Sequence, residues 1–131
     1  MTSILHALDA RVKEQPDKLL YVFLDIKGAI KESYTYQEFY HRTNDIASHI
    51  NTYQLKAGDR VLLAYPPGLE MVCSFFACVR LGLIPVPVYP PTVKDFDVSA
   101  QKMDFIAEDC EAAAVLTDST YYWSVKVNLA K

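Results

Sequence analysis

Residues 69–81 form a helix-length segment that is apolar on almost every side. A helix of that kind must be buried all round, or nearly so. On either side lie short, β-prone apolar runs, residues 60–65 and 84–89, and residues 113–116 make a third. Residues 98–110 read as a further helix, with Met103, Ile106 and Cys110 turned inward. Strand–helix–strand–helix–strand implies parallel strands joined by right-handed crossovers, and so an α/β layer. Near-uniform apolarity fits strands that are covered on both faces. Pro85 and Pro87 interrupt the second run. Proline cannot donate to a ladder, so this strand is irregular or pairs on the side where the N–H is not needed. Pro66-Pro67-Gly68 and Gly82 bracket the apolar helix, and Pro90-Pro91 ends the second run.

The segment before this alternation is organised differently. Ile4, Leu5, Leu8 and Val12 recur at helical spacing, and Pro16 marks the helix end. Residues 19–26 read as a strand, Lys27-Gly28-Ala29-Ile30 as a turn, and residues 33–36 as the return strand of a hairpin. Thr35-Tyr36-Gln37-Glu38 has the form of a capping box. The helix it opens carries Phe39, Thr43, Ile46, Ala47 and Ile50 on one face, with His41, Arg42, Asn44, Asp45 and His49 mostly elsewhere. It stops before Lys56-Ala57-Gly58-Asp59, where Gly58 suits a left-handed turn. Thr117-Asp118-Ser119 is placed to cap a last helix running to Lys131.

The expected architecture is therefore α/β: a partial parallel-sheet layer with flanking helices over residues 58–131, preceded by a helix, hairpin and helix over residues 1–57. Three parallel strands are few for a doubly wound sheet, and no turn residue closes the final helix. The 131 residues are expected to be the truncated first part of a larger domain, with a sheet edge through which dimers could form.

Composition excludes several classes. Apolar residues make up 51% and charged residues 22%, which suits a globular protein and not a disordered one. The formal net charge is −3 and no basic run occurs, so nucleic acid is not an expected partner. No membrane span is expected: a span needs about 20 mostly apolar residues, and Glu70, Ser74 and Arg80 interrupt the most apolar stretch. Charged residues through the first 20 positions exclude a secretory signal. Cys73, Cys78 and Cys110 include no Cys-x-x-Cys pair. Five positions on a helix set Cys73 and Cys78 about 140° apart. Reduced core cysteines in a cytoplasmic protein are expected.

Each candidate site has a plainer structural role beside a functional one. Pro66-Pro67-Gly68 follows a strand and opens a helix, where ligands often sit. Its two prolines remove N–H donors that a phosphate would need, so a rigid elbow is expected. His41 and His49 read as a solvated helix face. Asp95, Asp97, Asp104, Glu108, Asp109 and Glu111 lack the spacing and glycine of a calcium loop and read as helix surface. No Gly-x-Ser-x-Gly surrounds Ser74, so its hydroxyl is expected to bond back up its helix. Tyr65 and Tyr89 lie at strand ends, near where a ligand channel would open. Packing with a bonded hydroxyl is the expectation for both. No residue is assigned as catalytic, cofactor-binding, substrate-binding or metal-binding.

From Ser33 onward the sequence resembles the adenylate-forming superfamily. Tyr34-Thr35-Tyr36-Gln37-Glu38-Phe39 resembles its first short motif, with Tyr34 and Phe39 in place of two leucines. Gly58-Asp59-Arg60-Val61 matches the turn before the next strand, and Leu81-Gly82-Leu83-Ile84-Pro85-Val86-Pro87 is similar to the second motif. Tyr65-Pro66-Pro67-Gly68-Leu69-Glu70 and Val86-Pro87-Val88-Tyr89-Pro90-Pro91 resemble the fatty acyl-AMP ligase branch more than acyl-CoA ligases. The resemblance covers residues 20–120. It implies an N-terminal fragment of an ATP- and magnesium-dependent ligase. That ligase would join a fatty acid to ATP, release pyrophosphate and pass the acyl group to an acyl carrier protein. The family's Gly-rich phosphate loop, adenine-side motifs and catalytic lysine have no counterpart here, so the fragment alone is expected to be inert and to bind no cofactor. The alternatives are an acyl-CoA ligase of the same superfamily and a small non-enzymatic α/β binding module.

Overall fold

The computed structural model describes residues 3–92 and 94–119. Their order is α1 (Ile4–Glu14), β1 (Leu19–Leu24), β2 (Ile30–Thr35), α2 (Tyr36–Asn51), β3 (Arg60–Ala64), α3 (Leu69–Arg80), β4 (Ile84–Pro87), α4 (Phe96–Asp109) and β5 (Ala112–Thr117). The α/β expectation holds, with a two-stranded hairpin beside a three-stranded parallel sheet of order β4-β3-β5. The last expected helix and Tyr121 and Tyr122 lie outside the described residues.

Local chemistry sets the elements. Ser3 Oγ caps α1 by accepting from the N–H of His6. The hairpin turn is an Asx arrangement in which Asp25 Oδ1 accepts from the N–H groups of Lys27 and Ala29. That turn releases the chain earlier than expected, so β2 begins at Ile30. The capping box is formed: Thr35 Oγ1 accepts from Glu38 N–H, and Glu38 Oε1 accepts from Thr35 N–H. α3 ends in a Schellman motif. Gly82, at φ +75°, donates to Val79 O, and Leu83 N–H donates to Cys78 O.

The prolines of β4 act as one of the two expected alternatives. Ile84 N–H donates to Asp59 O and Val88 N–H to Leu63 O, so even-numbered residues face β3. Pro85 and Pro87 turn their donor-less nitrogens outward, and β4 is an edge strand. It is also shorter than expected, ending at Pro87.

β3 is the centre of the sheet, and Val61, Leu62, Leu63 and Ala64 are all buried. Val61 and Leu63 pack with Ala47 and Ile50 of α2 and Ala77 and Cys78 of α3. A second cluster joins Leu8 of α1, Phe39 of α2 and Cys73 of α3. The Phe39 ring meets Tyr21 and Phe76 edge-on, each with centroids 5.2 Å away. Such pairs contribute about 0.5–1.5 kcal/mol each beyond area burial.

Expectations fail for α4 and for Ser74. α4 was expected to turn Met103, Ile106 and Cys110 inward, yet no residue of α4 is buried and Ile106 is 38% exposed. The step from β4 to β5 passes back across β3, and a right-handed crossover in that direction sets α4 on the face away from α3. No other described helix packs there, so helical periodicity alone overstates its burial. Ser74 was expected to bond back up α3, but its hydroxyl donates to Tyr65 Oη at 2.9 Å. A side-chain acceptor one strand away displaces the local carbonyl.

Candidate functional site

In open parallel sheets, ligands lie outside the carboxyl ends of the strands, where successive connections diverge. Here that place is between β3 and β5. A groove of about 860 Å³ runs between α2 and β5, with Arg42, Tyr65 and Glu70 at one end, where it approaches that place. Arg42 and Glu70 form a two-pronged pair: Nε donates to Glu70 Oε2 at 3.3 Å and Nη2 donates to Oε1. Both side chains are part-exposed, so the pair orients the groove's polar end more than it stabilises the fold. Burial raises the Tyr65 phenol above its ordinary 10, with the bond from Ser74 acting the other way, so the ring is neutral at physiological pH.

The elbow Pro66-Pro67-Gly68 opens α3, and that helix start is already filled. Glu32 Oε1, from β2, accepts from Leu69 N–H at 2.9 Å. A Cβ at position 68 would sit 3.0 Å from the same oxygen, which explains glycine at this position. The partial positive charge of the helix start is met by an internal carboxylate instead of a phosphate.

A second cleft, of about 480 Å³, lies at the carboxyl ends of β3 and β4. Tyr65, Pro66, Pro87, Tyr89 and Ile106 are among the residues that line it. Tyr65 and Tyr89 thus meet at one cleft, but they differ. The Tyr65 hydroxyl is bonded as expected, whereas Tyr89 is 94% exposed and does not pack.

His41 and His49 are exposed on α2, with edge-on ring contacts to Tyr40 and Tyr53 respectively. Asp95, Asp97, Asp104, Glu108, Asp109 and Glu111 are all exposed, and Glu111 pairs with Arg60 at 3.5 Å. Cys73 and Cys78 fall in different core clusters, as their helical spacing requires. Burial pushes the Cys73 thiol up to about 12 and Cys78 up to about 11. The three cysteines are free thiols.

Sequence reasoning missed Arg42–Glu70, Glu32–Leu69 and Ser74–Tyr65. A lone acid in the first turn of an otherwise apolar helix was the available signal for Glu70.

The described residues do not fit ATP with magnesium. The start of α1 is capped by Ser3, that of α2 by Thr35 and that of α3 by Glu32. α4 carries Asp97 in its first turn. Among the described residues, no group of three His, Cys, Asp or Glu side chains is placed to hold a metal ion. No described helix is long and apolar enough to cross a membrane.

Comparison with known proteins agrees with this architecture. The family model described as AMP-binding enzyme matches residues 8–131. Disco-interacting protein 2 homolog B-A of Danio rerio is 33% identical over 115 residues, 87% of this chain and 7% of that protein. The medium-chain-fatty-acid–[acyl-carrier-protein] ligase JamA of Moorena producens is 27% identical over 125 residues, 95% of this chain and 21% of that protein. The solved fatty acyl-adenylate ligase of L. pneumophila, in complex with acyl adenylate and pyrophosphate, superposes with a TM-score of 0.83 at 29% identity. That match covers 95% of this chain and 21% of that one. The chain thus spans about a fifth or less of these three proteins. With the family model matched from Leu8 onward and the same sheet and helices in a solved ligase, this chain belongs to the AMP-binding enzyme family.

Proposed function

We propose that this chain is a scaffold segment, the first part of the N-terminal domain, of a ligase that activates a fatty acid with ATP. The products are acyl-AMP and pyrophosphate, and the acyl group then passes to a carrier protein. The observation that carries the reading is the superposition on a fatty acyl-adenylate ligase. It comes with the Tyr-Pro-Pro motifs that shape the second cleft. The carrier step is supported by likeness to an acyl-carrier-protein ligase.

Acyl-AMP formation needs a cradle of donors for the phosphates and cations for developing charge. ATP and magnesium would supply the phosphoryl chemistry, held by residues of the parent outside this segment. The part played here is mechanical: β3 and α3 form a rigid layer, and Arg42–Glu70 sets the polar end of the crevice. We place the parent in the cytoplasm, where thiols such as Cys73 and Cys78 stay reduced.

The test is pyrophosphate release by the purified parent protein with ATP, magnesium and a long-chain fatty acid. Release that needs the fatty acid, with acyl-AMP formed without coenzyme A and transferred to a phosphopantetheine carrier, is expected. Accumulation of acyl-CoA would favour the acyl-CoA ligase alternative. No fatty-acid-dependent release would favour the non-enzymatic module. The 131-residue chain alone is expected to release none.

A further inference from the structure

One face of the β1–β2 hairpin is fixed against the helices, where Tyr21 meets Phe39 and Glu32 accepts from the start of α3. The other face and the tip carry exposed apolar side chains, Val22, Leu24, Ile26 and Ile30. Leu24 and Ile30 are cross-strand partners and so lie side by side. Ile26, in the turn beyond them, is fully exposed at 103%. Hairpin turns are normally built from Gly, Asn, Asp, Ser and Pro. This one sets an isoleucine on each side of Lys27-Gly28-Ala29. The charges at the tip are Asp25, Lys27 and Lys31. Asp25 Oδ1 is turned back to accept from the N–H groups of Lys27 and Ala29. Lys27 and Lys31 are exposed, and Lys31 Nζ lies 5.9 Å from the centre of the Phe23 ring. The tip is thus locally basic on a chain whose formal net charge is −3.

We infer that this hairpin tip is a contact site for an anionic lipid surface, with Ile26 and Ile30 entering the headgroup boundary and Lys27 and Lys31 meeting lipid phosphates. Charge complementarity selects that occupant: apolar side chains flanked by lysines match a membrane that carries negative headgroups, as the cytoplasmic leaflet does. Area points the same way. A stable protein interface takes about 800 Å² from each partner, and a tip of three or four apolar side chains supplies far less. A bilayer asks for no matching surface. The contact stands on the hairpin alone, and its use rests on the fatty-acid reading. A long-chain fatty acid partitions into lipid, so a ligase held there meets its substrate at raised local concentration.

Cosedimentation of the full parent protein with vesicles of phosphatidylcholine and phosphatidylglycerol, about three to one, tests this. Binding is expected to fall at least about tenfold when Ile26→Ser is combined with Ile30→Ser. It should also weaken in Lys27→Glu and on vesicles of phosphatidylcholine alone. All three side chains are exposed, so the variants should keep the fold, which urea melts check. No binding by the parent, equal binding by the double variant, or equal binding to phosphatidylcholine alone would overturn the proposal. Hydroxyl-radical labelling of Ile26 in the vesicle-free parent is the second arm. Rapid labelling is expected. Slow labelling would set protein over the tip, from the same chain or a second copy, and would overturn the proposal. Binding is read without ATP, and pyrophosphate release is measured separately. A parent that binds vesicles and releases no pyrophosphate keeps the lipid contact while the proposed activity fails.

Discussion

α3 and α4 are the two crossover helices of one parallel sheet, 12 and 14 residues long, and their surroundings could hardly differ more. α3 buries Leu69, Cys73, Ser74, Ala77 and Cys78, while α4 buries nothing and leaves Phe105 62% exposed. Intrinsic propensity does not separate them. The difference is coverage: α3 is packed by the sheet below, by α2 and α1 beside it, and by the hairpin at its start. α4 touches the sheet along one side only. A crossover helix becomes core when a second layer reaches it, whatever its own pattern says.

Thiol labelling gives the largest expected contrast. With the Cys73 thiol pushed up to about 12, its thiolate at pH 8 is roughly one part in 10⁴. In native protein, Cys73 and Cys78 on α3 should resist iodoacetamide, whereas the part-buried Cys110, just past α4, should react. Mass spectrometry of the labelled chain reads this, and equal labelling of all three would erase the contrast.

Stability comes next. Phe39→Ala removes the ring that joins α3 to the hairpin and should cost about 3–5 kcal/mol. Phe105→Ala on α4 should stay within about 0.5 kcal/mol. Urea melts with a common slope would check both. Glu32→Ala leaves the first N–H of α3 without its acceptor and should cost about 1 kcal/mol, the scale of a lost helix cap. Asp95→Ala, at the start of α4, removes no side-chain cap and should cost less.

The smallest effect concerns α2, which packs against α3. Its capping carboxyl, Glu38, lies below the usual 4.5 because the Thr35 backbone N–H and hydroxyl bond to its charged form. A carboxyl lowered in the folded state contributes stability above its unfolded value and loses it as pH falls through the lowered one. Fraying of the first turn of α2 should therefore begin only below about pH 4.5, and Glu38→Gln, which removes the titrating carboxyl, should abolish that step. NMR shifts of the Thr35 and Glu38 amides would follow it.

Contacts within one turn of chain were legible in the sequence. The Thr35–Glu38 box, the Gly82 stop and the Phe39–Ile50 face depend on residues a few positions apart, where spacing and side-chain chemistry decide the outcome. The parallel direction of the strands followed from β-prone runs alternating with helices. The crevice was not legible. Glu32 reaches Leu69 across 37 positions and Arg42 reaches Glu70 across 28, so no local pattern encodes either pair. Ser74 was misread because the local rule ignored a tyrosine brought in by the fold. Ile106 is exposed and Met103 only part-buried: periodicity reports an apolar face without saying whether anything covers it.

Native-state hydrogen exchange on this chain tests the coverage argument most directly. Amides of Cys73, Ala77 and Cys78 should exchange only through global unfolding, with an opening free energy equal to that from denaturant melts. Amides of Phe105 and Ile106 should exchange through local opening at a clearly lower free energy. Equal opening free energies in α3 and α4 would contradict the account.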